Sequence, residues 1–438
     1  MSMTVSGPPW VVDIPSPVSG AGKTGLYGNT RNFLPFDNLA AWDDRAGTGA
    51  TFELDPTVLF DGKPTIKITI PAGQTSARIG TGGETALMPR AWDKSGTVLA
   101  IRCSKISAMA PLNVFVGATA GFVANYLNWG QAPGSYVQST RDNEWLVYHI
   151  DKADGGGIGW TESPTYVNQV ARRIRVSVAL SAAQGEPVSF WIGAFGVKQP
   201  RPKPTLILTY DDGRASIYNH VYPLLLANRV PISNAIVSSA VGLPTYMTAA
   251  QIVEMANHPS GLFEFVTHSS QHIDVNTRGD AGYVQDVIAV RDYLRGLGVK
   301  GDGPNHHAWV TSVWTNGAID GLKTAGFLSA RAAGMLFPHR TCSDQCIRAG
   351  DKSRWLLNTF TTLGNTKGAT GMIAEIDAWR TNGGFAMLNG HDFAATSSDA
   401  YTMAFSEHTQ IIEYIASLRD SGAIDVMTWS QWFNTYCS

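Results

Sequence analysis

Three short stretches of the chain hold residue types that do hydrolytic chemistry: Thr209-Tyr210-Asp211-Asp212-Gly213, Thr267-His268-Ser269-Ser270-Gln271-His272 and Asn389-Gly390-His391-Asp392. Adjacent carboxylates at a strand end repel each other and lose solvation, so keeping both ionised calls for a cation or strong donors. An Asx turn with Gly213 at positive φ is the plain alternative for the first stretch alone. Two histidines at i and i+4 share one face if their turn is helical, and with one carboxylate they complete a three-ligand set. Such a set leaves coordination positions open to water and substrate, as a catalytic metal needs. His391 follows an apolar stretch and a glycine, which lets an imidazole sit exposed at a sheet edge on a rigid base and act as an acid.

The elements around these residues must place them together. Leu206 to Leu208 forms a short buried strand ahead of the Asp pair, and Phe263 to Val266 forms the strand ahead of the His pair. A candidate helix runs from Ile217 to Asn228, and Thr248 with Gln251 has capping-box spacing before Ile252 to Asn257. Val284, Val287, Ile288 and Leu294 line a helix ending near Gly296 and Gly298, and Ile319, Leu322 and Phe327 continue the rhythm. Phe385 to Leu388 is a strand, Ile411, Ile415 and Leu418 share a helical face, and Ile424 to Met427 is the last strand. Repeated βα units predict a mainly parallel sheet, open or closed into a barrel, with chemistry at the C-terminal ends of its strands.

Residues 35–197 differ in texture. Ile66, Ile68 and Ile70 alternate with Thr65, Lys67 and Thr69, and Ile174, Val176, Val178 and Leu180 alternate with Arg173, Arg175, Ser177 and Ala179. That period predicts half-buried antiparallel strands. With further candidates at Val98 to Arg102, Asn113 to Val116, Trp145 to Ile150 and Ser189 to Val197, it predicts a β-sandwich. Lys198-Gln199-Pro200-Arg201-Pro202-Lys203-Pro204 suits a stiff linker. The organisation expected is a segment 1–34, a sandwich 35–197, a linker 198–204 and an α/β unit 205–438.

Composition narrows the classes. Among 438 residues, 33 Lys+Arg face 35 Asp+Glu for a net charge of −2, which gives no global field for nucleic acid or an anionic membrane. A 44% hydrophobic content excludes disorder, and 45 Gly, 22 Pro and 13 Trp with only 16% charged residues lean towards sheets and weakly towards sugars. No run reaches the roughly 20 apolar residues of a membrane helix, and no ordinary secretory signal is visible at the N-terminus. Four cysteines make no disulfide scaffold, although Cys342 and Cys346 are close enough for a local bridge, while Cys103 and Cys437 stand alone.

The three stretches, in this order and at these separations, resemble the motifs of the polysaccharide deacetylases, the carbohydrate esterase family 4 or chitin-deacetylase-like group, over about residues 204 to 436. The resemblance implies a distorted, incomplete (β/α) barrel. It implies one divalent metal, usually zinc, held by Asp212, His268 and His272, with Asp211 as general base and His391 as general acid. By ligand type, cobalt, nickel or manganese could also serve. The third family motif usually presents an Arg and prolines; here His306-His307-Ala308-Trp309-Val310-Thr311 stands in its place, and Arg331 is the candidate to orient Asp211, with a solvated strand end as its alternative. For the fourth motif, an Asp with a Trp, Asp351 and Trp355 are the substitute. LNGH also has one residue more between Leu and His than the usual pattern. Tyr210, Trp309 and Trp355 are candidate substrate contacts, and the oxyanion is expected to meet the metal and a backbone N–H around Trp309.

The function expected is metal-dependent removal of N- or O-acetyl groups from a bacterial-type polysaccharide. The alternative is a glycan-binding or phage-tail structural protein with a degenerate deacetylase domain. Trp42, Trp92 and Tyr126 suggest an exposed aromatic surface on the sandwich, which would bind glycan, attach the enzyme or oligomerise it. An extracellular or virion-associated location goes with that reading.

Overall fold

The computed structural model describes residues 30–32, 34, 36, 38–60, 62–81, 97–117, 122, 126–131, 141–150, 161–162, 173–198, 203–333, 355, 357–364, 366–382, 385–397 and 399–436. Trp92, Asp351, Cys342, Cys346, Cys437 and the linker residues 199–202 lie outside them, as does the side chain of Tyr126. The chain divides into two compact units, Met1–Gln199 and Pro200–Ser438. No described helix is long and apolar enough to cross a membrane.

The first unit holds two six-stranded antiparallel sheets. One runs Thr51–Phe60, Lys63–Ile70, Val188–Lys198, Thr97–Cys103 and Trp145–Ile150, with Thr30–Asn32 also paired to Val188–Lys198. The other runs Thr161–Glu162, Tyr126–Gln131, Leu112–Gly117, Arg173–Ala179, Ser76–Gly80 and Asp44–Ala46. Alternation sets what each strand buries. Ile174, Val176 and Val178 are fully enclosed while Arg173, Arg175 and Ser177 are only partly covered. Side chains from both sheets, among them Ile66, Ile68, Ile101, Val114, Val176 and Phe190, share one apolar cluster. Two details depart from the sequence reading. Thr65, expected on the polar face, is buried and donates its hydroxyl to the Val58 carbonyl at 2.8 Å, which removes the cost of enclosing it. Trp42, expected at the surface, is completely buried against Phe36 with ring centroids 5.2 Å apart. The free Cys103 is also buried, and burial pushes its thiol up to about 12.

In the second unit the strands are β1 (Thr205–Tyr210), β2 (Ile232–Ile236), β3 (Phe263–Thr267), β4 (His306–Ala308), β5 (Ser329–Ala332), β6 (Leu357–Leu363) and β7 (Phe385–Gly390). They pair in parallel in the order β2-β3-β4-β5-β6-β7-β1, and β1 pairs back to β2, so the ring of pairings closes. It closes only at the C-terminal end of β1, through Thr209 with Ser233 and Tyr210 with Asn234. At the other end of β1, a short strand Asp425–Val426 pairs with Thr205 and Leu206 instead. The barrel is therefore tight at the end where the Asp pair emerges.

β1 is buried along its whole length, as expected of a parallel strand covered on both sides. The helices carry the apolar faces seen in the sequence. Thr248 accepts from Gln251 N at 3.3 Å and donates its own N–H to the Gln251 side chain at 2.8 Å, so the helix Ala249–Ala256 starts in a complete capping box. The helix expected over 217–228 begins as a wide π turn, Ile217–Val221, before the regular helix Tyr222–Asn228, where Pro223 lies in the first turn. Ile411, Ile415 and Leu418 are buried on Phe405–Asp420.

Candidate active site and metal centre

The two aspartates follow β1 directly. Asp211 donates its N–H to Gly390 O at 2.9 Å, tying the end of β1 to the end of β7, and Asp212 and Gly213 both adopt positive φ, 71° and 75°. A Cβ on Gly213 would lie 2.9 Å from Ile236 Cδ1, a side-chain end that could yield, so glycine is favoured here chiefly by its positive φ. Tyr210 is the anchor behind this turn: its Oη lies 2.7 Å from His408 Nε2 in a fully enclosed pair. Burial pushes the phenol pKa up and holds His408 down at about 3, so the pair is neutral.

The histidine stretch follows β3. It is no helical turn: the backbone is irregular, with Ser269 at φ 65° and His272 at φ 56°, and His272 N donates to Ser269 Oγ at 3.0 Å. This loop still brings the two rings together, with centroids 5.1 Å apart. His268 Nδ1 lies 2.8 Å from Ala308 O, and since a carbonyl only accepts, Nδ1 carries the proton. Burial lowers the His268 pKa further than Asp211 and Asp212 raise it, leaving a neutral ring whose Nε2 lone pair is free. That nitrogen is 3.6 Å from Asp212 Oδ1, and His272 Nε2 is 3.3 Å from the same oxygen.

One ligand atom from each of Asp212, His268 and His272 lies within 4.8 Å of the other two. Asp212 Oδ1 is buried and has no hydrogen-bond partner, while Arg214 Nη2 reaches only Oδ2, at 3.3 Å. A buried anionic oxygen facing two imidazole nitrogens, one of them a fixed lone pair, is a donor set that fits a divalent cation.

Asp211 is held differently. Arg331, at the end of β5, is fully buried and pairs with Asp211 Oδ1, so the solvated alternative for this arginine is overturned. Burial alone would raise the Asp211 pKa, but the charge and hydrogen bond of Arg331 outweigh it and hold the carboxylate below its usual range. Its second oxygen faces His391 Nε2 at 3.7 Å. Gly390 permits this placement, because a Cβ there would meet the Tyr210 ring at 3.0 Å.

Other expected residues are placed elsewhere. Tyr210, Trp309 and Trp355 are buried, so none offers an open face to a glycan, although Trp309 borders the cavity. The Trp309 N–H is spent on Arg331 O at 2.8 Å and the Val310 N–H on Tyr283 Oη at 3.2 Å, which leaves neither for an oxyanion. His306 and His307 are wholly enclosed. His307 lies 3.0 Å from Thr267 Oγ1 and 2.9 Å from Tyr283 Oη, and burial keeps its pKa well below the ordinary value.

Asp211, Asp212, His268, His272 and His391 open into one cavity of about 740 Å3. Three of its other lining residues, Arg214, Asn389 and Tyr401, were not singled out in the sequence. Asn389 accepts from Thr362 Oγ1 at 2.7 Å through Oδ1, and its buried Nδ2 has no protein partner. It stands inside the LNGH stretch, which was the available signal; Arg214 and Tyr401 had none.

Residues 198–329 match the family model described as polysaccharide deacetylase. That match shows the deacetylase resemblance of the C-terminal half. Solved structures similar to part of the chain include IcaB from Ammonifex degensii, at 22% identity and a TM-score of 0.26, covering 29% of this chain and 58% of that one. A family 4 acetyl xylan esterase from Clostridium thermocellum, in complex with a cobalt ion, is 15% identical with a TM-score of 0.36, over 52% of this chain and 90% of that one. A family 4 carbohydrate esterase from Bacillus anthracis is 12% identical with a TM-score of 0.33, over 53% and 84%. The chain thus spans little more than half of IcaB, and no curated protein matches it. Within the deacetylase-like unit the family match ends at β5, so it includes the Asp and His stretches but neither Arg331 nor His391.

Proposed function

We propose that residues 200–438 hydrolyse acetyl groups, N- or O-linked, on a polysaccharide, with one divalent metal held by Asp212, His268 and His272. The observation that carries this reading is the division of labour between adjacent carboxylates: Asp212 turns an unpaired oxygen to two imidazoles, while Asp211 is locked to buried Arg331 and faces His391. Zinc is the first choice by ligand type, with cobalt, nickel and manganese open. Bound there, the cation supplies Lewis acidity for the acyl carbonyl and the attacking water. Asp211, kept ionised inside the protein, accepts the water proton as it attacks. His391 Nε2, on the cavity side of Asp211, gives a proton to the departing amine or alkoxide. Arg331 pairs with Asp211 from β5, which supports an intact site over the alternative of a degenerate binding protein.

For the first unit we propose a β-sandwich that spaces or attaches the enzyme, as a monomer or as an oligomer; its shared two-sheet core supports the sandwich, and the burial of Trp42 weakens the glycan-binding variant. The test of the catalytic reading is acetate release from chitooligosaccharides, peptidoglycan and acetylated xylan, with metal content measured on the same preparation. Acetate from at least one of these, lost on chelation and restored by zinc, is the expected result. Stoichiometric metal with no acetate released from any of them would return the protein to the binding class.

A further inference from the structure

Tyr401 is 61% exposed, more than any other large apolar side chain among the described residues, and it lines the same cavity as the Asp and His groups. A single exposed ring is ordinary on a protein surface, and what sets this one apart is that it borders the cavity of the Asp and His groups. Its exposure is not that of a loose loop tip. Asp392 to Ala394 and Thr402 to Ala404 form a two-stranded parallel pair, with Phe393 and Met403 buried beneath. Tyr401 O accepts from Asp392 N at 3.2 Å, and Asp399 Oδ1 accepts from the N–H groups of Tyr401 and Thr402, each at 2.8 Å. The ring meets His391 at a centroid distance of 5.1 Å and an interplanar angle of 73°. A fixed aromatic surface thus stands next to the imidazole that faces Asp211.

We propose that Tyr401 is the floor of a sugar subsite, where its face stacks on an uncharged pyranose of the acetylated chain and sets specificity for glycan over small acyl esters. This inference rests on the deacetylase reading and names the substrate class of that site. Pyranose rings present a flat patch of C–H groups that packs on aromatic faces, while their hydroxyls need acceptors. Asp392 borders the cavity with the ring and can accept from those hydroxyls alongside the Ser216 Oγ and Phe393 N–H bonds to its Oδ1. The carboxylates of Asp392 and Asp399 disfavour uronate and phosphate groups beside the ring, and Arg214 on the same lining is paired to Asp212. The cavity is in the range of about 300–1,000 Å3 that holds drug-sized ligands, so it has room for a sugar ring besides the acetyl group.

The experiment compares wild type, Tyr401→Phe and Tyr401→Ala in the full metal-loaded chain. It measures hexasaccharide affinity by calorimetry, using β-1,4-linked N-acetylglucosamine, and the kcat/KM ratio for that hexasaccharide over p-nitrophenyl acetate. Tyr401→Ala is expected to weaken hexasaccharide binding about tenfold and to lower the ratio by a similar factor through KM, while Tyr401→Phe stays within about twofold of wild type because the stacking face survives. Equal losses on both substrates would assign the ring to positioning His391 and overturn the subsite. Unchanged affinity in Tyr401→Ala, or no hexasaccharide binding by the wild type, would also overturn it. Hydrolysis of p-nitrophenyl acetate by the wild type keeps the hydrolase reading intact in either case.

Discussion

The two units use β-structure in opposite ways. In the first, a strand such as Arg173–Ala179 buries every second residue and gives its other face to solvent, so its sequence is a statement about packing. In the second, β1 is buried throughout and its chemistry is displaced to Asp211 and Asp212, just past its end. A parallel barrel collects such strand ends at one rim, so residues far apart in sequence meet there. An antiparallel pair alternates the direction of its strands and sends successive ends to opposite edges. Among the described residues, the one cluster of side chains that could hold a metal is accordingly in the second unit.

This contrast can be broken or sharpened by substitution. The largest effect belongs to the metal set: a His268→Ala, His272→Ala double variant is expected to purify without stoichiometric metal and to release acetate only at background level, as read by elemental analysis and acetate assay. Full metal content in that variant would sink the ligand assignment. Next, Asp211→Asn should retain the metal while kcat falls about 100- to 10,000-fold, because it removes the proton acceptor and leaves the ligands intact. His391→Ala should act in the same range, with a greater loss on amides than on esters because an amine leaving group needs the proton more.

Arg331→Met tests an ion pair enclosed on both sides, whereas the Arg175–Asp44 pair of the first unit keeps partial access to water. It strands the Asp211 charge in the interior, so a loss of about 3–5 kcal/mol in the unfolding of the second unit is expected. Adding Asp211→Asn should recover part of that stability without recovering turnover, and a simple sum of the two losses would refute the pairing. In the first unit, Ile68→Ala should cost about 2–5 kcal/mol in its own calorimetric transition. The kcat of the second unit should stay within about twofold of wild type if the two sites are independent. A fall in kcat parallel to that lost stability would show that catalysis depends on the first unit. The smallest effect is at a helix start: Thr248→Ala removes one half of the capping box and should cost about 1 kcal/mol.

Local features were readable wherever one stretch of chain satisfies its own physics. The alternation at Ile174 to Val178, the capping box at Thr248 and Gln251, and the strand ahead of each reactive stretch all depend on neighbours within a few residues. The helical reading of the His268 to His272 turn failed for the same reason: spacing of four suggests one helical face, but the loop reaches ring convergence through two positive-φ residues. Burial was less readable still. Trp42, Trp309 and Trp355 carry the composition of a sugar surface and all lie inside, since indole packs equally well in a core.

The amino-acid order alone determined which residues sit at strand ends and which types of group they carry, because strand length, glycine placement and residue chemistry are local properties. Only the closed barrel decided that Arg331 from β5 meets Asp211 after β1, that His391 after β7 faces the same carboxylate, and that Tyr401 stands open beside His391. Those contacts span 120, 180 and 10 residues of chain respectively; the motif resemblance offers Arg331 to Asp211 but leaves a solvated strand end equally open, and only the burial of Arg331 closes that choice. A buried ion pair exists because the surrounding strands exclude water from both charges at once, and that exclusion is a property of the assembled barrel.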